Sequence, residues 1–462
     1  MLKRYIGNRA FYSRVFTLTI PLMVQTLVTS LVSLLDNLMV GQVGTEAMSA
    51  VSLCNQLIMI FNMLMFGANA GAGIFSTQFV GAKDHQGVRY AFRYRFFICT
   101  GLSAICAALF LLFGKELAGL YLKGEGDPAE AARTLEHAVT YLAIMAIGLI
   151  PFAASSAFSG TLREHGQTRI PMAASVTAVF TNLIFNYILI FGHFGAPTLG
   201  VFGAAVATVI SRFVELGIVA VWTYLHRQDY PFIQGAFRSL YIPGDLLKRI
   251  AVKSMPLLLN EVLYSTSTAI INQSYTLTSL AVLPAMSMVT TLSGLVNVTN
   301  SGMASATSII LGQEIGAGKS KEEVMDTNWR LLFMTAILST CGACLMASLS
   351  GVFPLLYNTS DEVRHLATRL ILIMALFLPF RAYCIVVYFS IRSGGKVFTT
   401  VFFDSVTIWI FGVPLVYFLS RYTDVSILLL FFSGHLVDVC KAVIGTLLVR
   451  KGTWVRNLIK RG

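Results

Sequence analysis

Residues 21–37, PLMVQTLVTSLVSLLDN, are matched 235 positions later by residues 256–272, PLLLNEVLYSTSTAIIN. Pro21 meets Pro256, Gln25 meets Asn260 and Asn37 meets Asn272. The register continues without a gap through Asn62 and Asn297, Gly67 and Gly302, Gln78 and Gln313, Gly81 and Gly316, and Arg95 and Arg330. A second block, LREHG at 162–166 against IRSGG at 391–395, repeats with a slightly shorter offset. Self-similarity on this scale marks a duplicated architecture.

What is duplicated follows from composition. The chain has 462 residues, of which 56% are hydrophobic and 12% charged, whereas a soluble domain carries about a quarter charged. Apolar stretches of the ~20 residues needed to cross a bilayer recur about twelve times. We place them near 14–40, 48–81, 90–113, 133–162, 167–192, 198–225, 247–277, 281–316, 326–356, 364–393, 397–420 and 425–450. The reading is an all-α integral membrane protein with six helices in each repeat. Both repeats then cross in the same sense, which predicts two six-helix lobes related by a pseudo-twofold axis along the membrane normal. The lobes are expected at 1–225 and 247–462, joined by a cytoplasmic linker at 226–246.

The net charge of +12 could suggest nucleic acid, but its distribution argues against that. With the first terminus inside, about 25 of the 34 Lys and Arg fall on the cytoplasmic side, as the positive-inside rule requires. We expect a multi-pass protein of the plasma (inner) membrane with both termini cytoplasmic. Its basic stretches, RYAFRYR at 89–95 among them, would face anionic headgroups. Membrane lipids are the expected surroundings, and one chain that already holds both lobes suffices as a monomer. The seven cysteines lie in or near apolar spans. CGAC at 341–344 reads as helix packing, with small residues between its cysteines.

The motifs are LDNLMVGQVGTEAMSAV from Leu35, STQFVGAKD from Ser76, SGTLREHGQTRIP from Ser159, NLIFNYILIFG from Asn182, GAPTLGVFGAAVATVISR from Gly195, GQEIGAGKSKEE from Gly312 and IRSGGK from Ile391. In this order, over twelve spans and a duplication, they resemble the multidrug and toxic compound extrusion (MATE) transporters. Those belong to a superfamily that also contains lipid and polysaccharide flippases. The resemblance covers nearly the whole chain. It implies a secondary antiporter that exports amphipathic, often cationic, small molecules in exchange for H+ or Na+ by rocking of the lobes. The alternative within the superfamily is a lipid-linked precursor flippase. Such proteins often have two extra helices and a cavity lined with basic residues, and only about three basic residues lie within spans here. HExxH, P-loop and GxSxG-with-His patterns are missing and the seven histidines are scattered, so the chain reads as a transporter without enzymatic activity or cofactor.

The intramembrane polar groups are the candidate site, because an ionisable side chain in hydrocarbon is costly unless it pairs, protonates or binds a cation. Asp36 lies well into the outer half of the bilayer, counted at ~1.5 Å per residue from the start of the first helix. It is either an acid hydrated from outside or a cation-coupling group, and the resemblance assigns coupling to the matching position. Glu261, beside Asn260, lies near mid-membrane in helix seven. It is either partnered by Arg381 or involved in ion coupling, and the resemblance again favours coupling. Sodium-coupled members are expected to carry a second acid in helix ten. None is present there, and Asp404 in helix eleven is the nearest substitute. Neither deep acid has a twin, since Asp36 aligns with Ile271 and Glu261 with Thr26.

Asn182 and Asn186, one turn apart in helix five, are placed either to tune Asp36 or to join helices. Arg212 with Glu215, and Asp438 with Lys441, each three apart, read as structural ion pairs. Tyr264, Tyr275, Met286, Met288, Tyr383 and Tyr388 are candidates to contact a lipophilic cation through aromatic and thioether groups.

Overall fold

The computed structural model describes residues 5–121, 128–279 and 281–460. Twelve long helices account for nearly all of them: α1 (Arg9–Gly41), α2 (Thr45–Gly81), α3 (His85–Tyr121), α4 (Pro128–Glu164), α5 (Arg169–Phe191), α6 (Gly200–Leu225), α7 (Gly244–Thr276), α8 (Val282–Gly316), α9 (Lys321–Leu349), α10 (Asp361–Ser393), α11 (Val397–Tyr422) and α12 (Ile427–Lys451). No strand is found among the described residues. In hydrocarbon only a helix satisfies every backbone group within one segment, which is why the apolar runs take this form.

Eleven of these helices are long and apolar enough to cross a membrane. The exception is α7, whose 33 residues include Asn260, Glu261, Asn272, Gln273 and a run of Ser and Thr. The helix forms as expected, and its polar groups are what lower its hydropathy. Several helices extend past the expected spans; α2, α3 and α4 each run for 37 residues. Prolines are tolerated inside α1 (Pro21), α4 (Pro151), α7 (Pro256) and α10 (Pro379), where neighbouring helices can serve the carbonyl that a proline leaves unbonded.

Two compact units emerge. One comprises Val24–Ser76 and Asp84–Ser254; the other comprises Met1–Met23, Thr77–Lys83 and Met255–Gly462. We call them the N-terminal and C-terminal units. Helices α1 and α7 contribute to both, with boundaries just after Pro21 and just before Pro256.

In the N-terminal unit the segment between α6 and α7 is tied down by arginine forks from α3. Arg89 donates to the carbonyls of Pro231 and Phe232 at 3.1 and 3.3 Å. Arg93 donates to Ala236, Tyr241 and Gly235 at 2.7, 2.8 and 2.8 Å. Phe92 packs between them against Phe232 and Phe237. Arg95, two residues on, is buried in an ion pair with Glu164 and also donates to Thr161 Oγ1 at 3.0 Å. The basic run RYAFRYR therefore spends three of its charges on internal partners rather than on headgroups, because a planar guanidinium can satisfy several carbonyls at once.

In the C-terminal unit the last turns of α2 and α8 cross closely. A Cβ on Gly81 would meet the backbone of Gln313, and one on Gly316 would meet the backbone of Gln78. The two contacts are exchanged by the repeat. The segment after α12 lies over this crossing: Gln78 Nε2 donates to the carbonyls of Ser393 and Arg456 at 3.0 and 3.1 Å, and Leu458 N donates to Gln78 Oε1 at 2.7 Å.

Candidate functional site

In the N-terminal unit α1, α5 and α6 bring polar groups together at one level. Asn186 Nδ2 donates to Asp36 Oδ1 at 2.6 Å. The Asn182 side-chain amide lies 2.8 and 2.9 Å from the two oxygens of the same carboxylate, and its other end is 3.2 Å from Thr208 Oγ1. Asn182 and Asn186 are 6% and 1% exposed. Being one helical turn apart, they project from the same side of α5. Thr208 joins the set from α6, a position that sequence reasoning missed because a threonine in an apolar helix carries no signal of its own. Arg212 Nη1 lies 3.3 Å from Glu215 Oε2, and its guanidinium sits 4.7 Å from the Phe152 ring centroid.

In the C-terminal unit the expected pairings change partners. Lys441 Nζ contacts Asp404 Oδ1 at 2.5 Å, so its ion pair joins α12 to α11 and replaces the expected pair with Asp438. Asp404 faces Lys441 across the helix interface and also accepts from Asn260, which makes it the better-placed partner. Asn260 Nδ2 donates to Asp404 Oδ2 at 3.0 Å, and Ser405 Oγ donates to Asn260 Oδ1 at 2.7 Å. Two π-helical turns, Phe402–Val406 and Ile408–Gly412, interrupt α11 here. A widened turn of this kind re-aims side chains and is frequent at functional positions. Asp404 is thus already held by a tethered cation.

Glu261 is half-buried on α7 and takes no part in that hydrogen-bonded group. Arg381, the partner considered for it, lies instead within electrostatic reach of Tyr264 and Asp438.

The aromatic and methionine candidates do not converge on one surface. Tyr275 and Met288 are 1% and 2% exposed within a core cluster that includes Phe431 and Leu370, and Met286 packs against the same cluster. They are packing residues, a correction to the substrate-contact expectation: no atom of Tyr275 or Met288 can reach a ligand while that core stays closed. Tyr388 is buried, and the Tyr383 hydroxyl is 2.9 Å from Thr446 Oγ1. Among the described residues no group of three or more His, Cys, Asp or Glu is placed to hold a metal ion.

The MatE family model matches residues 21–188 and 256–418. The chain belongs to the MatE family. The two matches begin at the repeat-related prolines Pro21 and Pro256 and include Asp36, Asn182, Asn186, Glu261 and Asp404. The chain is 23% identical over 447 residues to "Probable multidrug resistance protein NorM" of Thermotoga maritima, covering 96% of this chain and 93% of that protein. It is 24% identical to "Probable multidrug resistance protein YoeA" of Bacillus subtilis, covering 88% and 87%. Among solved structures it resembles an outward-facing multidrug resistance MATE family transporter of the MOP superfamily, with a TM-score of 0.86 at 19% identity and 97% of each chain covered. It also resembles a MOP superfamily transporter from Pyrococcus furiosus, with a TM-score of 0.84 at 19% identity and again 97% of each chain covered. The fold is the two-lobe MATE fold. This MatE protein is a multi-pass membrane transporter and not an enzyme.

Proposed function

We propose that this MatE protein is a secondary antiporter that exports amphipathic, often cationic, small molecules in exchange for protons. Its lobes, 1–225 and 247–462 joined through 226–246, would rock in the plasma membrane with both termini cytoplasmic. The names of its multidrug-resistance relatives support the substrate class.

One observation carries the choice of ion: Asp36 accepts an N–H from Asn186 at 2.6 Å, and among the described residues no second carboxylate joins it beside the amide and hydroxyl groups of Asn182, Asn186 and Thr208. A hard cation needs several oxygen ligands, whereas a lone carboxylate with amide donors needs only a proton to become neutral. In the C-terminal unit the Lys441 ammonium already occupies Asp404. Glu261, half-buried and within electrostatic reach of Asp404 and Arg392, is the second acid assigned to coupling, with Asn260 beside it. Tyr264 is the aromatic retained for the substrate.

The test is efflux of a fluorescent lipophilic cation from proteoliposomes under a proton or a sodium gradient, for the wild type and Asp36→Asn. The reading expects a response to the proton gradient alone and loss of that response in the variant. A sodium-driven wild type, or an Asp36→Asn variant that transports normally, would overturn it.

A further inference from the structure

The polar interior of the N-terminal unit has a second level. Seven residues before Asn182 on α5 and seven after Thr208 on α6, about 10 Å along each helix, α1, α5 and α6 meet again. Gln25 Nε2 donates to Ser175 Oγ at 2.7 Å, and Ser175 Oγ donates to Glu215 Oε1 at 2.6 Å. From α4, Arg163 Nη2 donates to Gln25 Oε1 at 3.1 Å. Each level therefore contains one carboxylate, carried by α1 at the first level and by α6 at the second. Arg212 stands between them on α6, four residues after Thr208 and three before Glu215. It is paired with Glu215 at 3.3 Å and within electrostatic reach of Asp36. The hydroxyl of Ser211, which donates to the Thr208 carbonyl at 2.7 Å, occupies the same interval.

The repeat supplies a control. Asn260, Asp404 and Lys441 stand in the C-terminal unit where Gln25, Ser175 and Glu215 stand in the N-terminal one. Gln25 and Asn260 share the offset of Pro21 and Pro256, while Ser175 and Asp404 share that of Arg163 and Arg392. In both units the amide donates to the residue on α5 or α11, which is bonded in turn to α6 or α12; Ser175 donates to Glu215, whereas Asp404 accepts from Lys441. Joining three helices therefore explains the junction but not its charge, because amides and hydroxyls suffice as interhelical glue and a carboxylate at this depth is costly. In the C-terminal unit the acid is neutralised inside the junction by Lys441. In the N-terminal unit the junction holds its acid with a hydroxyl; of the two guanidinia near it, Arg212 is shared with Asp36 and Arg163 is bonded to Gln25.

We propose that Glu215 is a second proton-exchanging group, through which the proton carried by Asp36 passes toward the cytoplasmic face. This rests on the proton-antiport reading and its topology. The step moves one proton between the two carboxyls through intervening water: the Asp36 O–H bond breaks as a water takes the proton, a water O–H bond breaks as one forms on Glu215, and Glu215 then gives the proton to cytoplasmic water. Protonated Asp36, ionised Glu215 and Arg212 sum to zero charge, and so do ionised Asp36, protonated Glu215 and Arg212. No net charge is created in the low-dielectric interior, and Arg212 remains beside whichever acid is ionised. The groups facing Asp36 are Asn182, Asn186, Arg212 and, from α4, Tyr141. Those facing Glu215 are Arg212, Ser175 and, from α4, Arg163.

The experiment uses the full chain in proteoliposomes with tetraphenylphosphonium as the probe, and measures two rates. One is transport driven by a pH gradient, which requires the proton to leave Asp36. The other is probe-for-probe exchange at equal pH, which does not. Glu215→Gln should slow gradient-driven transport by about tenfold or more while exchange stays within about twofold, and Glu215→Asp should restore most of the driven rate. Equal slowing of both rates, or neither, makes Glu215 a structural joint and overturns the proposal. If Glu215→Gln does not fold, Ser175→Ala decides: it removes only the hydroxyl, and a driven rate equal to wild type overturns the proposal, whereas selective slowing supports it. Failure of the underlying reading is seen separately, as a wild type that ignores the pH gradient.

Discussion

Replacing Lys441 with methionine tests the electrostatics of the C-terminal unit most directly. Methionine keeps the length and most of the volume of the lysine stem, so the packing over Phe403, whose ring centroid lies 5.5 Å from Nζ, is largely retained. What disappears is the cation. The Lys441 side chain is 5% exposed and that of Asp404 18%. Breaking a buried pair on one side costs about 3–5 kcal/mol, mainly for the acid left behind. Asp404 keeps the hydrogen bond from Asn260 at 3.0 Å and some exposure, so we take the low end and expect a loss of about 3 kcal/mol. The double variant Lys441→Met with Asp404→Asn removes both charges and should lose only about 1 kcal/mol, about 2 kcal/mol less than the single variant. Thermal unfolding in detergent micelles reads the ordering. Trp409 on α11, whose Nε1 donates to the Leu263 carbonyl at 2.9 Å, supplies a fluorescence reporter close to the pair. The reasoning is refuted if the single variant melts with the wild type, or if the double variant is no more stable than the single.

Other consequences are simpler to state. Gly316→Val places a side chain against the Gln78 backbone and should cost about 3 kcal/mol as the α2–α8 crossing parts; Gly81→Val should do the same at Gln313, both read as a lowered melting temperature. Arg93→Ala removes three charge-assisted bonds to carbonyls between Gly235 and Tyr241. Trypsin should then cut at Arg238 faster than in the wild type, and an unchanged cleavage rate would show that Arg89 and Phe232 hold the segment alone. Ser320→Ala removes a capping box in which Ser320 and Glu323 satisfy each other's backbone N–H. It should cost about 1 kcal/mol without altering transport, which makes it a stability control for the functional variants.

The fold was legible because its two signals are long: apolar runs of bilayer length and a repeat whose register survives over tens of residues. The helix ends were less legible, since polar turns beyond the hydrocarbon carry no periodic signal; α3 begins at His85 rather than near Tyr90. At the site, Asp36, Asn182 and Asn186 could be found because each is polar in an apolar helix, and their spacing on α5 places two of them on one side. Partner choice was not readable. Lys441 has an acid three residues away on its own helix, and nothing local shows that Asp404, 37 residues earlier, lies closer. Tyr275 and Met288 were misjudged for a related reason. Tyrosine and methionine fill cores as readily as they contact ligands, and only the packing of α8, α10 and α12 shows that Tyr275 and Met288 do the former.

The internal repeat also gives a physical reason for assigning ion sensitivity to one unit. At matched places the C-terminal junction holds an acid and an ammonium, whereas the N-terminal junction holds a hydroxyl and an acid. A junction neutral in itself has no electrostatic need of an external ion, and taking a proton onto Asp404 would leave the Lys441 ammonium buried alone. The N-terminal unit has two acids, Asp36 and Glu215, that share Arg212, with Arg163 a second guanidinium near Glu215; neither acid is locked to an ammonium as Asp404 is, so either can take up a proton. On the antiport reading, the exchange of that proton is what the gradient drives. The same comparison implies that exchanging charges within the C-terminal junction, Asp404→Lys with Lys441→Asp, should preserve stability better than either single change. It should leave in place the pH dependence that Asp36 and Glu215 contribute, because both lie in the other unit.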